Sequence, residues 1–454
     1  MIMALFCETA LLSDGWHSGV RIEIGPQGTI TALSSQNAPE PGDTLAKGPV
    51  LPTLANCHSH AFQRAMAGLA EIAGSTEDSF WTWRVMMYRL AGLLTPDDMQ
   101  AVAAKLYSEL LKGGFGRVTE FHYVHHQADG AVYATHGETS LRILKAAEVT
   151  GIGLTHLPVF YAQSGFGGAE PHAGQRPFLH TVDGFLTLLD SLRTPFAEAG
   201  ATLGAAIHSL RAATPEQMQA LLEAGLGSGP IHIHVGEQEK EVEDCLAWSG
   251  RRPVEWMLDE LPVDHRWCAI HATHMTETET SRLAASGAVA GLCPATEANL
   301  GDGIFPATQL LSEGGRIAIG TDSHVATSVA EELRLLEYGQ RLRDRRRNRL
   351  VAGAGSSAGR TMIEAALKGG AQAAGQTSAG LAVGAPADLL VLDGGSPYLA
   401  EARGDQIIDR WIFALGAEAV RDVMIAGCWR IEDRRHTQDE AIDRAFAAVL
   451  RKIG

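Results

Sequence analysis

The chain is poor in positive charge: 37 Lys and Arg stand against 53 Asp and Glu in 454 residues, a formal net charge of −16. A nucleic-acid partner is therefore disfavoured, because displacing the counterions of a phosphate backbone needs a positive surface. Cysteines are few and scattered. The six, at positions 7, 57, 245, 268, 293 and 428, include no CxxC pair, so neither a disulfide framework nor a structural zinc knuckle is indicated and a reducing cytoplasm fits. No uncharged apolar run approaches the roughly 18 residues of a membrane span. No Lys or Arg precedes Arg21 to open a secretory leader. Aromatic residues make up only 6%, yet hydrophobic residues reach 45% and charged residues 20%, an ordinary globular balance with material for a sizeable core. The expectation is an acidic cytoplasmic protein with neither nucleic acid nor membrane as partner.

Both ends of the chain read as strands. Ala4–Cys7, Val20–Ile24 and Thr29–Leu33 are short β runs with Gly25-Pro-Gln-Gly28 as a turn, and Ala387–Asp393 and Val423–Ile431 repeat that character. Between about 50 and 375, eight short apolar runs alternate with longer amphipathic segments: Val50 to Cys57, Gly116–Phe121, Ile152–Leu157, Leu203–Ile207, Ile231–Val235, Trp267–His271, Ala288–Leu292 and Arg316–Gly320. Eight βα units predict a closed (β/α)8 barrel. An open doubly wound sheet is the alternative, but no GxGxxG follows the first strand.

Polar residues sit where these strands end. His58 and His60 are two apart, so their imidazoles share one face of strand one and converge at its C-terminal end, where barrel enzymes place their chemistry. His234 ends strand five, His271 ends strand six and Asp322 follows strand eight. A histidine and aspartate set with one position left for water matches a catalytic divalent site rather than a closed, cysteine-rich structural one. A zinc ion would lower the pKa of its water from about 15.7 to about 7. Asp322 or His271 could then accept the water proton, and spacing does not choose between them. Glu237, three residues beyond His234, could pass a proton to a departing nitrogen.

The set His58-x-His60, His234-Val-Gly-Glu237, His271, Gly320-Thr-Asp322-Ser and Gly384-Ala-Pro-Ala-Asp388-Leu-Leu-Val resembles the amidohydrolase superfamily over essentially the whole chain. The resemblance implies a barrel at 51–375 beside a small β-sandwich made from 1–50 and 376–454, the latter ending in a helix. It implies metal ligation by His58, His60, His234 and Asp322, with Glu237, His271 and Asp322 catalytic, and a homodimer. Binuclear members bridge two metals with a lysine on strand four, and none occurs between Ala201 and Arg211. One zinc ion per subunit is therefore implied, with iron or manganese able to occupy the same ligands.

Two arginines suit an anionic substrate, since guanidinium grips carboxylates bidentately. The combination Asn56-Cys-His58-Ser-His60-Ala-Phe-Gln63-Arg64, Trp81-x-Trp83-Arg84, Glu120-Phe-His-Tyr123 and His208-Ser-Leu-Arg211 resembles the superfamily branch that hydrolyses N-formimidoyl-L-glutamate to N-formyl-L-glutamate and ammonia in histidine degradation. That resemblance implies a dicarboxylate amidine held by Gln63, Arg84, Tyr123, His208 and Arg211, with the carboxylate taken by each arginine left open. A guanine-type or other aromatic-amine deaminase and a catalytically silent metal-binding scaffold are the competing readings.

Other features are read as structural. The aromatic stretch 75–88 is either a lid or a helix packing Phe80, Trp83 and Met87 on the barrel exterior. The arginine-rich stretch 341–349 reads as a solvated helix face with Glu337 paired to Arg341. His122, His125 and His126 read as a solvated loop, His232 as interior packing and Cys57 as buried filler.

Overall fold

A computed structural model describes residues 3–72 and 79–453. The barrel strands are Leu54–Ser59, Phe115–His122, Gly153–Phe160, Ala205–Ser209, Ile231–Val235, Trp267–His271, Val289–Leu292 and Arg316–Ile319, called strands one to eight below. They pair in parallel and in sequence order. A parallel bridge between Ser59 and Asp322 joins strand one to the end of strand eight and completes the circle. Strands five and six begin and end at the residues expected from sequence, and every residue of both is buried.

The expected first run divides into two strands. Val50–Pro52 belongs to a second sheet, where it pairs antiparallel with Leu389–Leu392. Thr53 N still donates to Asp388 O at 3.2 Å, whereas Leu54 N donates to Gly114 O at 3.2 Å. The partner changes beside Pro52, which has no N–H to offer a ladder.

The second sheet gathers both chain ends. Its order runs from Arg435–His436 through Cys428–Glu432, Val420–Ile425, Leu389–Leu392, Val50–Pro52, Met3–Leu12 and Gly15–Ile24 to Ile30–Ser35, with Thr44–Leu45 paired to Met3–Leu12. Leu5, Ile22, Val50, Leu389 and Met424 form its separate apolar core. The expected turn is present: Gly28 N donates to Gly25 O at 2.9 Å. Gly28 has φ +74°, and a Cβ there would lie 2.0 Å from Ala426 O, so this glycine seats the N-terminal turn against the C-terminal hairpin.

Helices surround the barrel, and their starts are written in the sequence. Thr95-Pro96, Thr214-Pro215 and Thr276 each accept from the backbone N–H three residues on, satisfying a donor the first turn would otherwise orphan. The terminal helix Asp439–Ile453 docks on Pro96–Lys112 through Lys112–Asp439 and Lys105–Asp443, both 2.7 Å. In the arginine-rich stretch, Arg341 pairs with Glu337 at 2.7 Å. Glu337 is nevertheless buried and also accepts from Arg349 N and Leu350 N, so one face of that stretch anchors the following loop.

The helix Ala358–Ala373 lies against strands one and eight closely enough that a Cβ at Gly369 would sit 1.9 Å from Ile317 O. Gly369→Ala should cost about 1–3 kcal/mol through overpacking. Gly353, with nothing within 4 Å of its Cβ position, should accept Ala without loss. Thermal unfolding of the two variants checks this.

Candidate active site

The C-terminal mouth of the barrel brings three imidazoles to one point. His58 Nε2 lies 3.1 Å from His60 Nε2 and 3.0 Å from His234 Nε2. Asp322 Oδ1 is 3.6 Å from His58 Nε2 and 3.3 Å from His60 Nε2. Backbone carbonyls set two of the tautomers. His60 Nδ1 donates to Phe121 O and His234 Nδ1 to His208 O, each at 2.9 Å, which leaves Nε2 lone pairs facing one another. Burial holds all three rings below the usual histidine range, His60 down to about 3, so they stay neutral. Lone pairs and a carboxylate crowded together repel unless a cation lies among them, and these spacings approach the roughly 3.3 Å expected between tetrahedral ligands at 2.0–2.1 Å from zinc. The donor set fits a divalent ion.

Buried hydrogen bonds tie this cluster to the barrel's closing seam. Thr321 N and Asp322 N donate to His58 O at 3.1 and 3.0 Å, and His60 N donates to Asp322 O at 3.2 Å. Asn56 Nδ2 donates to Thr321 Oγ1 at 2.7 Å, and His58 N donates to Asn56 Oδ1 at 3.1 Å. Below the cluster, Glu120 accepts from Ser59 Oγ at 2.5 Å, Ala61 N at 2.7 Å and Tyr107 OH at 3.1 Å. His271 has φ +67° and Asp322 φ +43°, left-handed conformations that non-glycine residues keep only where the surroundings demand them.

His271 stands between carboxylates. Its Nε2 is 3.8 Å from Asp322 Oδ2 and 3.7 Å from Glu237 Oε1, and its Nδ1 is 3.3 Å from Glu297 Oε1. Burial alone would lower its pKa, but Glu237, Glu297 and Asp322 together carry it up to about 10. Burial pushes Glu237 up to about 7 and Asp322 up to about 6. Glu241, one helical turn beyond Glu237, accepts from Gly236 N at 3.2 Å and Glu237 N at 3.3 Å. It thereby fixes the loop that aims Glu237.

All five expected substrate residues line one cavity with His60, His234, Glu237, His271 and Asp322. Gln63 Nε2 donates to Tyr123 OH at 2.9 Å, and Gln63 Oε1 is buried without a partner. His208 Nδ1 contacts Ser209 Oγ at 3.1 Å. Arg84 makes no hydrogen bond or ion pair among the described residues; its Cζ lies 4.6 Å from the Trp81 ring and 5.5 Å from the Tyr88 ring. Arg211 is buried, has an unpartnered Nε, and its one carboxylate within 4.0 Å among the described residues is Glu241. Residues 75–78 of the aromatic stretch lie outside the described residues. Its remainder opens the helix Phe80–Leu93, whose Phe80, Trp83, Arg84, Met87 and Tyr88 form part of the cavity wall, so the helix packs on the site and not on the barrel exterior.

The other histidines correct one expectation. His122 and His125 are buried, the first bonded to Thr139 Oγ1 at 2.9 Å and the second to Val159 O at 3.1 Å, while His126 bonds Leu179 O at 3.1 Å. The solvated loop expected there is packed, because strand two runs to His122 and the rings find carbonyls of neighbouring segments. His232 bonds Ala373 O at 2.8 Å and Cys57 is fully buried, both as expected. Glu120, Glu241, Glu297 and His324, which accepts from His60 N at 3.2 Å, had no assigned part. Only for Glu241 does spacing carry a signal, four residues from Glu237 at the opening of a helix.

A closed barrel with a histidine and aspartate cluster at its C-terminal mouth defines a metal-dependent hydrolase class. Comparison with known proteins agrees. Residues 50–430 match the amidohydrolase family, and residues 2–47 match the N-terminal domain of formimidoylglutamate deiminase HutF. The chain is 55% identical over 450 residues to formimidoylglutamate deiminase of Pseudomonas aeruginosa, covering 99% of each. It is 26% identical to a 5-methylthioadenosine/S-adenosylhomocysteine deaminase of Natronomonas pharaonis, covering 85% of this chain and 82% of that one. The chain belongs to the amidohydrolase family, within its formimidoylglutamate deiminase branch. An amidohydrolase structure from Brucella melitensis superposes with a TM-score of 0.96 at 48% identity over all of both chains. A zinc-bound adenosine deaminase from Xanthomonas campestris gives 0.81 at 20%, covering 99% and 98%, and shares the fold.

In metal-free protein His271 should remain protonated through neutral pH, since a raised pKa keeps the imidazolium until pH climbs past it. Glu297→Gln removes the charge facing Nδ1 and should lower that pKa by roughly one unit or more, read from imidazole nitrogen shifts by NMR.

Proposed function

We propose that the chain hydrolyses N-formimidoyl-L-glutamate to N-formyl-L-glutamate and ammonia. The observation carrying this reading is the pair of guanidiniums, Arg84 and Arg211, that face the cluster's cavity with no hydrogen bond to protein among the described residues. A guanidinium with no direct hydrogen bond in such a cavity calls for an anion from outside, and two of them suit a dicarboxylate. The 55% identity to the Pseudomonas enzyme supports the same conclusion.

His58, His60, His234 and Asp322 are assigned as ligands of one zinc ion, which when bound acts as a Lewis acid that makes water nucleophilic near neutral pH. The chain's own groups handle the protons. Asp322 or His271 would accept a proton from that water. His271 Nε2, within 3.8 Å of Asp322 and 3.7 Å of Glu237, bridges the two carboxylates. Glu237, whose pKa burial pushes up to about 7, can carry a proton at neutral pH and deliver it to the amidine nitrogen. A C–O bond forms and a C–N bond breaks; both protons of the water end on the departing nitrogen, one by way of Asp322 or His271 and one by way of Glu237, and it leaves as ammonia. Gln63, Tyr123 and His208 supply polar contacts for the rest of the substrate, and the unpartnered Gln63 Oε1 can accept from its amidine N–H. A homodimeric state and a cytoplasmic location belong to the same proposal; all six cysteines are free thiols, which suits a reducing compartment.

Ammonia release from formimidoylglutamate should stop on chelation and return with zinc. Release that persists in metal-free protein, or turnover of guanine in its place, would refute the reading. Glu237→Gln should lower kcat by about 10²–10⁴ with metal content unchanged. Arg84→Met or Arg211→Met should instead raise KM at least tenfold, as expected when a charge-assisted bidentate contact is lost; steady-state kinetics with metal analysis separates the two effects.

A further inference from the structure

Both substrate guanidiniums lie near the same indole. Arg84 Cζ is 4.6 Å and Arg211 Cζ 5.7 Å from the centroid of a Trp81 ring. Trp81 is half-buried and is not among the residues lining the cavity, so it reaches the substrate only through the arginines. The two cations come from different elements. Arg84 lies on the helix Phe80–Leu93, three residues after Trp81 and hence on the same face, with Tyr88 a further turn on. Arg211 follows strand four of the barrel.

We propose that Trp81 is a positioning residue that sets the separation of Arg84 and Arg211, and so selects a dicarboxylate of glutamate length over shorter ones. This rests on the deiminase reading above and extends it to specificity. Two like charges converging on one site repel, and a protein commonly offsets that with an acid. A carboxylate partner, however, would occupy the N–H groups the substrate needs. An aromatic face attracts each guanidinium through its quadrupole and leaves the N–H edge free. Among the described residues Arg84 has only aromatic neighbours of this kind, and Arg211 has one carboxylate at 4.0 Å. Trp81 is therefore the contact that ties the helix-borne charge to the barrel-borne one. With the indole removed, each arginine is free to drift, and the fixed distance between two carboxylate sites is lost.

The test uses zinc-loaded enzyme and the variants Trp81→Leu and Trp81→Phe. With formimidoylglutamate, Trp81→Leu should raise KM roughly fivefold to tenfold while kcat, metal content and Tm hold. The preference for formimidoylglutamate over N-formimidoyl-L-aspartate, taken as the ratio of kcat/KM values, should shrink by a similar factor, and Trp81→Phe should fall between. Binding of glutarate and succinate, followed by calorimetry, reads the same preference without turnover: wild type favours glutarate and Trp81→Leu does not. Equal losses for the long and short ligands, an unchanged preference, or wild type that binds neither diacid would overturn the proposal. Wild type that releases no ammonia, yet shows the glutarate preference and its loss in Trp81→Leu, would overturn the deiminase reading alone.

Discussion

Three neutral imidazoles and one carboxylate gathered about His58, with His60, His234 and Asp322 at 3.1, 3.0 and 3.6 Å from its Nε2, form the constraint around which the rest of the molecule is arranged. Such a cluster is unfavourable without a cation, and it persists only if the backbone beneath it cannot relax. The seam between strands one and eight supplies that stiffness. His58 O receives two N–H groups from Thr321 and Asp322, Asn56 locks Thr321, and Glu120 ties Ser59 to Ala61. The barrel closes at the point where this cluster sits, so closure of the fold and assembly of the cluster are one event.

Electrostatics divides the cavity into two parts. On one side, Glu237, Asp322 and Glu297 surround His271 at 3.3–3.8 Å, and burial raises both Glu237 and Asp322 above the ordinary carboxylate range. On the other, Arg84 and Arg211 hold positive charge that the described protein does not neutralise by direct hydrogen bonds. A molecule with an amidine at one end and two carboxylates at the other matches that division. A neutral purine would leave both guanidiniums unpaired. Glu241 touches both parts, accepting from Glu237 N and standing 4.0 Å from Arg211.

Much of this was legible from residue order. Period-two alternation placed His58 and His60 on one face, and apolar runs ending in His234, His271 and Asp322 marked strand ends, where a barrel exposes them to its mouth. The five cavity residues followed from a resemblance and not from pattern alone. Local patterning was less dependable where a partner decides the outcome. Val50–Pro52 has the composition of barrel strand one but pairs with Leu389–Leu392. His122 and His125 look like a polar loop until Thr139 and Val159 are brought beside them.

Residue order by itself determined that eight strand-forming runs exist and which ionisable groups stand near their C-terminal ends, because alternation and apolar run length are local properties of the chain; those ends shifted by up to three residues, as where Ile152–Leu157 became Gly153–Phe160. Tertiary structure alone decided which ionisable groups stand beside one another. His271 meets Glu297, Ser59 meets Glu120, and Arg211 meets the Trp81 ring across separations of 26 to 130 residues. Such contacts depend on the circular order of the strands and the path of each loop, and no pattern within a single segment encodes them.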